Sequence, residues 1–407
     1  MRLNPILFRQ HIGWHFKKHW RTQGKRVPSE SGALKVLTDK GIPVYKPEDI
    51  FVKQEIPQID ETPDFIPKPV VFNKTHPNWH DRICYTFKDN NVLLEGLDQA
   101  KIITNTIELY DGLPSQIVAE KAPSKLDKII KKIILNSHLF DAEQVKLPKR
   151  NDPERPAWNF PRDYGISKPR IMKLLISKLL QTVESWCDPS IVKQRHLIHD
   201  LQFYYPFEKD GDLIQLQLRG DSLITASKPL SQISNESTLN LELPNIDPIK
   251  YTNTLNIENI YKIQNIYPVE RFIPKNHPHT VIVHFDHDEV KNIFEEEVTE
   301  TQFMGRSLMK AFIVAAAYAK QNFGDDVKKL PKPVTVQCVH TDGQIFHFGI
   351  LQLNTLDTSE NSVTRNIWCH APRMFLFDSC MYSVGKPILE GYNSDVVNHF
   401  IAFYRNM

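Results

Sequence analysis

The stretch VTVQCVHTDGQIFHFGILQL, residues 334–353, decides the fold. It places Asp342-Gly343 between two apolar runs rich in β-branched and aromatic residues, the strongest short-range signal for a β-hairpin. A two-residue turn at this dipeptide predicts three cross-strand pairs: His340 with Ile345, Cys338 with His347, and Val336 with Gly349. Because both faces of the hairpin carry large apolar side chains, we expect it to lie inside a sheet rather than at an exposed edge.

Two histidines and a carboxylate in this hairpin invite an enzymatic interpretation. His340, His347 and Asp342 are residue types that serve acid–base chemistry or bind metals. Asp342, however, is the residue that the turn itself requires, and apolar neighbours on both faces are typical of buried histidines. The sequence therefore predicts a structural hairpin, with no catalytic residue and no cofactor.

Helical and strand patterns are mixed on both sides of the hairpin. The strongest helix spans residues 300–322, with Thr299 and Gln302 in a capping-box pattern and an apolar centre typical of a helix buried on several sides. A second hairpin is predicted around the Asp210-Gly211 turn. Other predicted helices span 90–110, 125–140, 169–186 and 394–404, and other strands span 84–87, 280–285 and 367–376. With no βαβ repeat, we expect an α+β fold whose mixed or antiparallel sheet, with its β-hairpins, is packed by several helices.

Composition divides the chain of 407 residues into three parts. Residues 1–27 carry seven basic side chains and no acid, with interspersed apolar residues, which is typical of an organelle transit segment. A disordered basic arm is the alternative. Residues 28–75 are rich in proline and predict an extended arm, which docks on the body or on a partner or is a solvent-exposed linker. Residues 76–407 form the α+β body, which can divide into two lobes near residues 190–200.

Cysteine usage and hydropathy exclude further classes. The five cysteines are scattered and form no CxxC pair, which argues against a disulfide framework or a zinc site and favours a reducing compartment. The longest apolar run, residues 312–319, is too short for a membrane span. The sequence contains no GxGxxG, P-loop, GxSxG or HExxH motif, so the common enzyme signatures are absent.

A second histidine cluster supports the alternative function, a metal-dependent hydrolase or nuclease. Its candidate ligands are His277, His279, His284 and Asp286. Histidine and carboxylate ligands suit a divalent metal. Asp286 is also a natural helix N-cap, however, and this competing role leaves the metal site the weaker interpretation.

Basic segments point to nucleic acid. Lys125, Lys128, Lys131 and Lys132 flank the apolar stripe of the predicted 125–140 helix, a pattern typical of a solvated helix face, a membrane-surface helix or a nucleic-acid contact. The proline-rich segment 145–170 mixes basic and aromatic residues, which can neutralise phosphates and stack on bases. The candidate RNA contacts are Lys17, Lys18, Arg21, Lys25, Arg26, Lys146, Lys149, Arg150, Arg155, Trp158 and Arg162.

Four ordered blocks resemble one family of mitochondrial ribosomal proteins. They are HPNWHDRICYTFKDNNVLLEGLDQAKIITNTIELYDGLP (76–114), LIQLQLRG (213–220), HPHTV (277–281) and VQCVHTDGQIFHFGILQLNTLD (336–357). The family contains large-subunit proteins numbered thirty-seven and thirty, the latter once assigned to the small subunit. The resemblance covers residues 77–407, with weaker matching over 115–200 and 228–265, and does not reach the head or the arm.

The resemblance implies a structural constituent of the mitochondrial large ribosomal subunit without catalytic activity. Its implied partners are rRNA, other large-subunit proteins and a homologous mitoribosomal protein as heterodimer partner. Its implied location is the mitochondrial matrix, which agrees with a transit peptide at residues 1–27. The family has no site motif, so the resemblance assigns no functional residue to this chain.

Overall fold

A computed structural model describes residues 32–45, 83–109, 112–117, 119, 121–147, 154–155, 157–161, 163–234, 242–258, 264–359 and 362–407. The chain divides into two compact units, Met1–Val70 and Val71–Met407. In the first unit the described residues form one exposed helix, α1 (Ala33–Asp39), inside the predicted proline-rich arm. The predicted transit segment and the rest of the arm, apart from residues 32–45, lie outside the described residues.

The second unit contains the sheet and six further helices among the described residues. The helices are α2 (Gly96–Thr104), α3 (Ser124–Leu139), α4 (Lys168–Trp186), α5 (Pro189–Val192), α6 (Glu300–Phe323) and α7 (Ser394–Arg405). The strands are β1 (Cys84–Phe87), β2 (Thr106–Glu108), β3 (Val145–Lys146), β4 (Tyr164–Gly165), β5 (Arg195–Lys209), β6 (Asp212–Ala226), β7 (Asn256–Glu258), β8 (His277–His284), β9 (Lys329–Thr341), β10 (Ile345–Thr355), β11 (Asn366–His370), β12 (Met374–Phe375), β13 (Ser379–Ser383) and β14 (Lys386–Glu390).

Ten of these strands form one mixed sheet. Its order is β2-β11-β10-β9-β8-β6-β1-β7, with β5 paired to β6 and β12 paired to β10. The hairpin pairs are antiparallel, whereas β8–β9, β1–β6 and β2–β11 are parallel. The predicted α+β fold is confirmed, and β9 and β10 lie inside the sheet as expected.

One of the two Asp-Gly hairpins has the predicted register and the other does not. In β5–β6 the turn is the predicted one: Asp210 and Gly211 have φ of 50° and 85°, and Lys209 pairs with Asp212. In β9–β10 the predicted pairing was wrong by two residues, since His340 pairs with His347 rather than with Ile345. The Asp342 side chain accepts hydrogen bonds from the backbone N–H groups of Gln344 and Ile345, which moves the turn one residue forward.

Helices cover both faces of the β9–β10 hairpin. On one face α6 packs against Val336, Cys338 and Leu351, with α2 beyond it. On the other face α3, α4 and α7 pack against Phe346, Phe348 and Ile350. A shift by two residues changes neighbours but leaves each side chain on its face, because strand side chains alternate with a period of two.

The helix α6 forms where the sequence predicts it and is the most deeply buried element. Thr299 and Gln302 make the predicted capping box, each side chain accepting from the other's backbone N–H. Its side chains from Leu308 to Ala317 are buried, as the apolar centre requires. At its crossing with α2, a Cβ on Gly305 would lie 2.5 Å from the carbonyl carbon of Gly96, so this approach requires glycine.

Two predicted elements were too long. The helix predicted over residues 90–110 spans only Gly96–Thr104, because Asn105 adopts a left-handed conformation (φ 51°) and donates to the carbonyls of Asp357 and Thr364. The chain then continues as β2, which pairs with β11. The strand predicted over residues 367–376 is interrupted near Pro372, since proline cannot donate to a sheet ladder, and resumes as β12.

Candidate functional site

A buried polar cluster lies between α6 and the β9–β10 hairpin. Its centre is Ser307 on α6, whose Oγ lies 3.0 Å from His340 Nδ1 and 2.8 Å from His347 Nδ1. His347 Nε2 lies 3.1 Å from Nδ1 of His370, at the end of β11. His370 Nε2 lies 2.8 Å from a carboxylate oxygen of Glu108, at the end of β2. We call these five residues the Ser307 chain.

Charge and chemistry fix the direction of the hydrogen bonds when His370 is neutral. The Glu108 carboxylate only accepts, so His370 donates from Nε2 and accepts at Nδ1. His347 must therefore donate from Nε2 and accept at Nδ1, where the Ser307 hydroxyl donates. His340 donates from Nδ1 to Ser307 Oγ, which leaves His340 Nε2 as a bare acceptor. That atom is buried and has no partner among the described residues, which agrees with an unprotonated nitrogen.

Burial keeps the inner residues of the Ser307 chain neutral. Ser307, His340 and His347 are fully buried, and Phe303 stacks on the His340 ring at 4.1 Å. Burial lowers the pKa of His347 to about 3, and burial together with the nearby Arg306 charge lowers the pKa of His340 well below its ordinary 6.5. At the outer end, the hydrogen bond from His370 lowers the pKa of Glu108 to about 2.

The order of groups resembles a nucleophile, a base and an orienting carboxylate. A nucleophile needs access to a substrate, however, and Ser307 has no exposed surface. The Ser307 chain therefore has a structural role: Ser307 holds α6 against both strands of the hairpin. His340 and His347 were predicted to be structural, and their contacts are those of packed and hydrogen-bonded core residues.

A pair of buried cations, Arg306 and Lys310, flanks Ser307 on α6. Arg306 donates to the backbone carbonyls of Asn91 and Asp89, and Lys310 Nζ lies 3.0 Å from the Asp89 carboxylate. Burial lowers the pKa of Arg306 to about 10. Both cations line a cleft of about 330 Å³ at the surface. Because their hydrogen bonds go to the loop that follows β1, they hold this loop against α6.

The four residues of the alternative metal site are not brought together. His277 and His284 lie at opposite ends of β8, about 23 Å apart at the usual rise of a strand. Each residue has a different partner: His277 bonds Tyr318, His279 bonds Thr280 and the Asn406 carbonyl, and His284 pairs with Asp221 at 3.2 Å, while Asp286 accepts from the Asp288 N–H. Within the described ranges, no group of three histidine, cysteine or acidic side chains could hold a metal ion.

Only part of the predicted RNA surface is described. Lys146 on β3, Arg155 and Trp158 are exposed, and the Trp158 side chain is 61% accessible. The other candidates, Lys17, Lys18, Arg21, Lys25, Arg26, Lys149, Arg150 and Arg162, lie outside the described residues. The candidate contacts therefore stay predictions.

Sequence reasoning missed Ser307, His370, Glu108 and the cation pair. The partners of Ser307 lie 33 and 40 residues away, and Glu108 lies 262 residues from His370, so no local spacing marks them. The one available signal was Arg306 and Lys310 inside a strongly apolar helix, because such charges are rarely fully buried unless paired.

Helical length and hydropathy bear on the membrane question. Among the helices that the structure describes, none combines the length and the apolar character needed to cross a membrane.

Known proteins similar to this chain are mitochondrial ribosomal proteins. Residues 275–407 match the family described as mitochondrial 28S ribosomal protein S30 (PDCD9). The large ribosomal subunit protein mL37 of Bos taurus is 25% identical over 81% of this chain and 76% of its own length. The mL37 proteins of Rattus norvegicus and Gallus gallus are each 26% identical, over 73% and 80% of this chain and 67% and 74% of theirs. The chain is therefore similar to mL37 proteins over most of its length, and the family resemblance predicted from its sequence is confirmed.

Proposed function

We propose that this chain is a structural constituent of the large subunit of the mitochondrial ribosome and supports mitochondrial translation. The observation that carries the proposal is the similarity to mL37 across about four fifths of the chain. The Ser307 chain agrees with a structural role, since its groups are buried and bonded to one another rather than directed at a substrate. On this proposal the protein has no catalytic activity.

We further propose that the protein resides in the mitochondrial matrix and binds rRNA and neighbouring large-subunit proteins. Lys146 and Arg155 are exposed cations that can neutralise phosphates, and the exposed Trp158 ring can stack on an unpaired base. A homologous mitoribosomal protein is the proposed heterodimer partner, on the family resemblance alone. Chemical cross-linking of purified ribosomes, followed by mass spectrometry, tests both types of contact.

Gradient sedimentation of mitochondrial lysate tests the function directly. We expect the protein to migrate with the large-subunit rRNA, and to stay with that rRNA when chelation of magnesium separates the two subunits. Depletion of the protein should lower the synthesis of mitochondrially encoded proteins. A protein that stays at the top of the gradient in both conditions contradicts the proposal.

A further inference from the structure

The outer face of α3 is a continuous basic surface. Lys125, Lys128 and Lys132 are exposed and lie at positions i, i+3 and i+7, one side of a helix. Lys131 is exposed next to them. At 1.5 Å per residue the row from Lys125 to Lys132 is about 10 Å long. We call these four residues the α3 lysine face.

Within the described part of the chain, the α3 lysine face keeps its positive charge. Among the described residues, no carboxylate forms an ion pair with any of the four lysines. Asp127, the one acid on the helix, instead accepts a hydrogen bond from the Tyr392 hydroxyl at 2.9 Å. Lys131 Nζ lies 4.9 Å from the centre of the same Tyr392 ring. The free positive charge favours an anionic partner.

The opposite face of α3 is already occupied. Leu126, Ile130 and Ile134 are fully buried in the core that α3 shares with α4 and α7. A helix that binds a membrane surface inserts its apolar face between the lipids. The docked face of α3 cannot do so, and the most accessible large aliphatic residue of the helix, Ile129, is only 37% accessible. The geometry therefore favours a polar, polyanionic partner over a lipid surface.

Two exposed aromatic rings lie at the C-terminal end of α3, where Phe140 follows the helix about 12 Å along its axis from Lys132. The β13–β14 hairpin packs along α3, and its Tyr382 ring meets Phe140, just past the helix, edge to face at 6.2 Å. Tyr382 and Phe140 are 59% and 53% accessible. Lysines that neutralise phosphates next to rings that stack on bases are the combination by which proteins bind single-stranded nucleic acid.

We propose that the α3 lysine face, with Tyr382 and Phe140 at its end, binds the phosphate backbone of a single-stranded or loop segment of RNA. This inference rests on the proposed function, and it assigns an RNA contact outside the segments 17–26 and 145–162. The lysines supply affinity through release of counterions, and the rings supply the preference for unpaired bases.

The test compares two charge-matched variants of the full chain. One variant carries Lys125→Gln, Lys128→Gln and Lys132→Gln. The control carries Lys328→Gln, Lys329→Gln and Lys332→Gln, three exposed lysines at the start of β9. Binding of a fluorescein-labelled uridine oligomer is followed by fluorescence anisotropy over a range of salt concentrations. A matched RNA duplex and vesicles of phosphatidylcholine and phosphatidylserine serve as alternative probes.

We expect the α3 variant to lower the slope of log affinity against log salt by about 2, at about 0.7 for each lost phosphate contact, and to weaken oligomer binding roughly 10- to 100-fold at low salt. The control should retain the slope and affinity of the unmodified chain, and Tyr382→Ala should weaken binding of the oligomer more than binding of the duplex. Equal losses in both lysine variants, or no loss in the α3 variant, overturn the proposal. Vesicle binding that the α3 variant abolishes, with RNA binding unchanged, overturns it in favour of a membrane.

Failure of this inference can be told apart from failure of the proposed function. If the unmodified chain migrates with the large subunit while the α3 variant binds RNA normally, only the α3 contact is wrong. If the unmodified chain stays at the top of the gradient, the ribosomal function is wrong, whatever the oligomer measurements show.

Discussion

The two faces of the β9–β10 hairpin are made by alternate residues of the same strands, yet next to the turn they bury different chemistry. Towards α6 they present His340 and His347, which Ser307 ties together. Towards α3, α4 and α7 they present Val339, Phe346 and Phe348, which lie in an apolar cluster where the Phe348 ring packs near Phe403 and His399. Next to the turn the apolar face is stabilised mainly by burial, which is non-directional, although farther along the same face Gln337 donates to Thr280 and to the Phe403 carbonyl. The polar face is stable only while each buried group has its partner.

The polar face also specifies the register of the two strands, which the apolar face cannot do. A hydrophobic contact tolerates small displacements, but Ser307 can bond both imidazoles only when His340 lies opposite His347. The observed register, two residues from the one that the turn dipeptide alone suggests, satisfies this condition. We infer that the Ser307 chain fixes the register and the position of α6.

Acid should lower the free energy of unfolding more than any substitution below, and it should act mainly on the polar face. His347, and also His279 outside this face, have pKa values that burial lowers to about 3, and the pKa of His340 is lowered as well. All three histidines take up a proton only on unfolding, so their stabilisation is complete above pH 6.5 and is lost as the pH falls below it. Each histidine should cost about 1.4 kcal/mol per pH unit, about 4 kcal/mol together.

Urea unfolding at a series of pH values between 7.5 and about 5.5 measures this dependence. The variant His347→Phe should be less stable than the unmodified chain at neutral pH, but its stability should fall with acid by about 1.4 kcal/mol per unit less. The same pH slope in both proteins would show that His347 is not held neutral.

Phe348→Ala tests how much the apolar face contributes to stability. The Phe348 side chain is fully buried, and its ring centre lies 5.1 Å from that of Phe403 on α7. Loss of this ring leaves a cavity, so we expect unfolding free energy to fall by about 3–5 kcal/mol. Unlike the acid effect, this loss should be nearly independent of pH above 6.5. Phe272→Ala, at an 81% accessible position, is the matched control and should change stability by less than about 0.5 kcal/mol. Equal losses at the two positions would contradict the structure of this core.

Local signals predicted short-range features of the fold well and long-range polar contacts poorly. The α6 helix, its capping box and the Asp210-Gly211 turn depend on residues within one or two turns of each other, so the sequence contains the whole interaction. The turn at Asp342 does not: its carboxylate also accepts from the His287 ring at 2.6 Å, 55 residues away. The end of α2 likewise depends on Asn105 reaching carbonyls more than 250 residues away.

The Ser307 chain was beyond sequence reasoning for the same reason. Its five residues come from β2, α6, β9, β10 and β11, and the sheet order that brings β2 next to β11 cannot be read from any one segment. Histidine and serine in apolar stretches are each ordinary core residues. Only the three-dimensional register shows that they bond one another.

Ser307→Ala tests the hydrogen bonds of Ser307 separately from the apolar packing of α6. The substitution removes one oxygen atom from α6 and leaves His340 Nδ1 and His347 Nδ1 without their partner. Because both imidazoles stay buried, we expect a loss of about 1–3 kcal/mol in unfolding free energy, less than for the aromatic ring. Ser185→Ala, at an exposed position on α4, should change stability by less than about 0.5 kcal/mol. If Ser307→Ala also costs less than that, the Ser307 chain is not what holds α6 to the hairpin.

The smallest effect is expected at the outer end of the same chain. Lys101 Nζ lies 2.8 Å from the Glu108 carboxylate, which is partly open to water. A partly exposed ion pair contributes little, so Lys101→Met should lower the unfolding free energy by less than about 1 kcal/mol. The hydrogen bond from His370, the largest cause of the low pKa of Glu108, remains, so that pKa should rise but stay below its ordinary 4.5. Carboxyl carbon NMR titration of Glu108 measures the change. A loss as large as that of Ser307→Ala would contradict this expectation. It would show that the Ser307 chain depends on the Lys101–Glu108 ion pair at the surface as much as on the buried Ser307.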